Sequence, residues 1–175
     1  MKRMAIAMFG LLMLFFGPVL SAKGDMVLIE VKAKSLRAPI KITDTKIQEF
    51  NVWAGPGVNG VGLREAEGFV ADWKKGVVAE PPAGLERYEL SFYAGCVTDP
   101  RCLGEYPTLV YVVTYAYSPS SKHGFIYLPG KGEPLYNLNG GTIYHGAQVD
   151  GHWFFATESW ETFVRPLIAK AKRKQ

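Results

Sequence analysis

Three groups of side chains in this sequence have the types and spacing to do chemistry. The first is His145, Asp150 and His152, two imidazoles and a carboxylate close together in the chain. Asp150-Gly151 is a two-residue hairpin signal. Strands over 142–145 and 152–156 would then carry both imidazoles to one ribbon, where they would hold a metal or serve acid–base chemistry in an envelope hydrolase. Zinc requires three or four ligands in a defined geometry, and no H-E-x-x-H or comparable spacing is present. This is therefore the alternative reading of the chain. His123, in a polar turn, reads as solvated.

The second group is Cys96 and Cys102, separated by VTDPR. A redox pair normally has C-x-x-C spacing at a helix start; here a turn at Asp99-Pro100 separates the two. In an exported chain such a pair is expected to form a disulfide. Its short loop gives a stabilisation of about 2 kcal/mol, enough to pin a local loop. A thiol nucleophile at either position, with His145 or His152 as its base, would require the disulfide to be absent.

The third group is aromatic. Tyr111, Tyr115 and Tyr117 alternate along TLVYVVTYAY and share a face with Leu109 and Val113. Tyr93 and Tyr127 are expected on neighbouring strands. The other face carries Val110, Val112, Thr114 and Ala116, small enough for a helix to dock. Tyrosine has an apolar ring and a polar tip, suited to peptides and glycans; the competing reading is cross-strand packing. Trp53 beside a glycine-rich loop joins Tyr111, Tyr115 and Tyr117 as an expected binding residue.

Other motifs carry less. Gly55-Pro56-Gly57-Val58-Asn59-Gly60 matches G-x-G-x-x-G, but Pro56 and the short, interrupted segment after it do not suit a dinucleotide fold. No serine lies in a G-x-S-x-G elbow. Asp72, Glu80, Glu86 and Glu89 are carboxylates whose spacing selects no catalytic pair. No cofactor and no metal are expected.

The elements that position these residues begin with a leader. Residues 1–22, MKRMAIAMFGLLMLFFGPVLSA, have a positive start, an apolar middle broken at Gly17-Pro18, and small residues at Ser21-Ala22. This is the order of a secretory signal peptide, so a periplasmic or secreted protein is expected. The strongly apolar core is shorter than the roughly 20 residues that span a bilayer. No later run is long enough either, so no integral membrane domain is expected after cleavage. Losing Lys2 and Arg3 brings the formal charge from +4 to about +2, and four of the remaining cations, Lys170, Lys172, Arg173 and Lys174, crowd the tail. That is no nucleic-acid footprint. Cations there complement the helix dipole, or contact anionic lipid.

Residues 23–175 have the size and composition of a single α+β domain. Strands are predicted over 26–34, 39–42, 85–94, 108–117 and 125–128, with weaker ones near Tyr136 and at 142–145 and 152–156. A hairpin is predicted from 68–73 and 77–80. A short N-terminal helix over 45–50 is capped by Thr43 or Asp44. A C-terminal helix over 158–172 has Thr157 as N-cap, Glu158 and Glu161 in its first turn, and an apolar stripe of Trp160, Phe163, Val164, Leu167, Ile168 and Ala171; Pro166 is expected to kink it. The expected architecture is an antiparallel, meandering sheet with the C-terminal helix packed on one face. The function expected of it is non-enzymatic binding of an envelope protein, a peptide or a glycan.

Overall fold

The computed structural model describes residues 25–58, 68–95, 107–140, 144 and 147–174. The leader, Cys96, Cys102 and His145 lie outside the described residues, as do Asn59 and Gly60 of the glycine loop and residues 142–143 of a predicted strand.

Six antiparallel strands form one sheet: β1 (Asp25–Lys32), β2 (Ile40–Ile42), β3 (Glu86–Gly95), β4 (Thr108–Tyr117), β5 (Phe125–Tyr127) and β6 (Trp153–Phe155), in the order β2-β1-β3-β4-β5-β6. Two α-helices complete it, α1 (Tyr136–Gly140) and α2 (Glu158–Arg173). The mixed α+β class therefore holds, with a C-terminal helix on an antiparallel sheet. Side chains alternate across a strand, so register sorts them. Ile29, Val31, Leu90, Phe92, Val113, Tyr115, Ile126 and Phe154 face the core, fully or almost fully buried. Glu30, Lys41, Thr114, Phe125, Tyr127, Trp153 and Phe155 belong to the opposite face.

The core face is covered in two halves. α2 lies over one half. Thr157 caps it by accepting from the Trp160 amide, and Trp160, Val164 and Ile168 are buried. Trp160 meets Tyr115 edge-on at 6.3 Å and Phe50 at 5.0 Å. The other half is an aromatic cluster of Phe69, Trp73, Phe92, Tyr111, Tyr144 and Phe154, with ring centroids 4.9–6.1 Å apart along its contacts. Gly55 belongs here for a steric reason: a Cβ on it would come 1.9 Å from the Tyr144 ring.

Several local expectations are corrected. Residues 45–50 wind into a 3-10 helix capped by Asp44, and no α-helix precedes β3 among the described residues. Residues 68–73 and 77–80 are not partners in a hairpin: Ala71 bridges Ala156 and Val78 bridges Trp153, so both runs line the outer edge of β6. Around Tyr136 the chain is helical (α1). Asp150-Gly151 leads into β6, whose strand partner is β5; the turn packs against β5's exit, with the Gly151 amide donating to Leu128 O at 2.8 Å.

The helix also sits on the other face from the one expected. It covers Tyr88, Tyr115 and Tyr117, not the small residues of β4. Tyr111 and Tyr115 have no exposed surface and Tyr117 is 8% exposed, so the proposed tyrosine contact surface is core. The rings supply the buried area that holds the helix on the sheet. Trp53 is half-buried against the same core.

Candidate binding face

The open face of the sheet has two chemically different ends. At the β2–β1–β3 end it is ionic. Glu30 is nearly buried and is held by Lys32 at 3.1 Å, Lys41 at 3.5 Å and the Tyr93 hydroxyl at 3.3 Å. Burial alone would raise the Glu30 pKa; the hydrogen bond and charge of Lys32, with Tyr93 and Lys41, leave it below the ordinary carboxylate value.

At the β5–β6 end the face is aromatic. The register sets Phe125 opposite Phe155 and Tyr127 opposite Trp153. Directly opposed residues on antiparallel strands project to the same side at contact distance. The Phe125 and Phe155 centroids are 5.3 Å apart, and those of Tyr127 and Trp153 are 4.9 Å apart. His123 extends the row, edge-on to Phe155 at 5.5 Å. Two cations from other segments lie over the rings: Lys75 Nζ is 5.6 Å from the Phe155 centroid and Arg87 Cζ 5.5 Å from that of Trp153. Cations at such distances are attracted to the ring faces.

Three polar members, Tyr127, Lys75 and Arg87, have partners within the fold. The Tyr127 hydroxyl donates to the Glu133 carboxylate at 2.8 Å, and that carboxylate also accepts from the Gly130 amide at 2.6 Å. Burial and the Glu133 contact push the Tyr127 pKa up to about 12. Lys75 is paired with Asp72 at 2.9 Å and Arg87 with Glu80 at 3.0 Å. The row runs into a groove of about 420 Å³ lined by Glu80, Pro81, Pro82, Arg87 and Ala116, formed where the segment before β3 crosses the sheet.

Sequence reasoning missed this row. The signal was present as the alternating pairs Phe125/Tyr127 and Trp153/Phe155, but it becomes a surface only when β5 and β6 are known to be neighbours. Of the expected aromatic contacts, Tyr93 and Tyr127 do lie on strands flanking β4, on the face opposite Tyr115.

His152 is exposed and Asp150 half-buried, and among the described residues no group of three or more His, Cys, Asp or Glu is placed to hold a metal. The nearly buried Glu161 accepts from the Tyr115 hydroxyl (3.1 Å), the Gly124 amide (2.6 Å) and Arg165 (2.5 Å), a clip between helix and sheet. No helix among the described residues is long and apolar enough to cross a membrane. No protein-family model, curated protein sequence or solved structure matches the chain.

Proposed function

We propose that this chain is an exported, non-enzymatic domain that binds a peptide, protein or glycan partner through the aromatic end of its open sheet face. Export rests on the leader over 1–22, which goes with a Cys96–Cys102 disulfide in an oxidising compartment. The observation that carries the binding reading is the opposed Phe125–Phe155 and Tyr127–Trp153 pairs with Lys75 and Arg87 over them. Phe125, Tyr127 and Phe155, each half-buried, offer stacking surface to a sugar or an apolar side chain, while Trp153, only 8% exposed, backs Tyr127 from beneath; the cations offer donors to hydroxyl or carboxylate oxygens. The non-catalytic part is supported by Glu30 and Glu161, both committed to fixed partners within the fold.

The test is titration of the full chain with amino-sugar oligosaccharides and, separately, with an acidic decapeptide, followed by tryptophan fluorescence. One of the two should perturb Trp153. Phe155→Ala removes a stacking ring contributing about 1 kcal/mol and should weaken that binding about fivefold. Lys75→Gln should weaken it with no change in the thermal midpoint. Silence toward both ligand classes, or binding unchanged in Phe155→Ala, defeats the reading.

A further inference from the structure

At the far end of the molecule from the aromatic row, the β1–β2 connection and the last turns of α2 enclose a groove of about 360 Å³. Its floor is apolar: Ile40, Leu167 and Ala171 are half-buried there, continuous with the core. Its rim is cationic. Lys170, in the last turn of α2, and Lys174, its C-cap, stand four residues apart, and Arg37 faces them from the β1–β2 connection. All three are exposed, no acidic residue lines the groove, and none of the three makes an ion pair among the described residues.

Cations near a helix C-terminus complement its dipole, which accounts for Lys170 and Lys174. It does not account for Arg37, which belongs to another element and brings a third like charge to the same opening. Converging like charges repel, and among the described residues no acidic side chain lines the groove to offset them. The occupant that satisfies both floor and rim is an anion carrying a hydrocarbon. A peptide suits the floor less well, because Ile40, Leu167 and Ala171 offer no side-chain partner to its amides. The rim along α2, from Leu167 to Lys174, is about 10 Å long, the scale of part of one acyl chain.

We propose that this groove binds an anionic phospholipid, the acyl chain on the floor and the phosphate between Arg37, Lys170 and Lys174. This site is separate from the aromatic face and stands or falls independently of it.

Lysophosphatidylglycerol and lysophosphatidylcholine of equal chain length, both below their micellar concentrations, separate charge from hydrocarbon. Glycerol phosphate supplies the headgroup without the chain. Calorimetric titration of the full chain should show the anionic lipid bound at least tenfold more tightly than the zwitterionic one, and glycerol phosphate bound much more weakly than either lipid. Each of Arg37→Gln, Lys170→Gln and Lys174→Gln should cost about fivefold for the anionic lipid only. All three side chains are exposed, so folding should survive, and circular dichroism checks it. Leu167→Ser should weaken both lipids together. Equal affinity for the two lipids overturns the proposal. So does a preference that survives in the triple variant, which would place binding elsewhere on the chain, or glycerol phosphate binding as tightly as the lipid.

Discussion

Oxygen Oε1 of Glu161, on α2, accepts a hydrogen bond from the backbone amide of Gly124, the residue before β5, at 2.6 Å. The same oxygen takes the Tyr115 hydroxyl from β4 and the Arg165 guanidinium from the next turn of the helix. One nearly buried carboxylate thus ties the helix to two strands, and Arg165, stacked on Tyr117 at 4.3 Å, compensates its charge. A Cβ at Gly124 would lie 2.5 Å from that oxygen and 2.3 Å from the Tyr115 ring.

Gly124→Ala should therefore destabilise the domain by about 3 kcal/mol through overpacking. Glu161→Ala should cost at least as much, because it leaves the Gly124 amide and the Tyr115 hydroxyl without their acceptor. Urea unfolding followed by tryptophan fluorescence measures both. A loss under 1 kcal/mol in either variant would mean that this oxygen does not hold the helix in place.

Tyr111 and Tyr115 lie on the same face of β4 but should respond oppositely to loss of their hydroxyls. That of Tyr111 is buried with no hydrogen-bond partner among the described residues, whereas that of Tyr115 is bonded to Glu161. Removing an unsatisfied buried hydroxyl relieves a desolvation cost, so Tyr111→Phe should be neutral or stabilising by about 1 kcal/mol. Tyr115→Phe should destabilise by a similar amount. Thermal unfolding of the pair gives the comparison directly, and the reverse order would count against this assignment.

Asn139, in α1, does the work of a missing strand. Extending the β4–β5 register places Pro129 opposite Val112, and proline has no N–H to donate. The Asn139 side chain supplies both bonds instead: its Oδ1 accepts from Val112 N at 2.8 Å and its Nδ2 donates to Val112 O at 2.5 Å. Asn139→Leu should leave both backbone groups buried and unpaired, costing about 3 kcal/mol. Hydrogen exchange at the Val112 amide should accelerate more than at Tyr115. Unchanged protection there would show that another group caps this edge.

Acid should weaken the ionic end of the sheet through Glu30. Its pKa is lower folded than unfolded. Its contribution is therefore complete above the ordinary carboxylate value and is lost as pH falls through the folded value. Glu30→Gln should lower the thermal midpoint at pH 7 and show a shallower decline between about pH 5 and pH 3 than the parent. Parallel acid limbs for the two proteins would remove Glu30 from the account.

Local signals in the sequence determined much of this molecule. The alternation of TLVYVVTYAY gave β4 to the residue, because β-branched and aromatic side chains at period two favour a pleated strand. The Thr157 cap, the acidic first turn and the three-and-four spacing of apolar residues gave α2, since each is a contact within a turn or two of chain. Only the tertiary structure decided which face of β4 the helix covers. Alternation divides a strand's residues into two sets without saying which is inside, and tyrosine is at home in either place. The neighbourhood of β5 and β6 was likewise a long-range pairing. It turned four dispersed aromatics into one row and moved the candidate contact surface from Tyr111, Tyr115 and Tyr117 to the opposite side of the sheet.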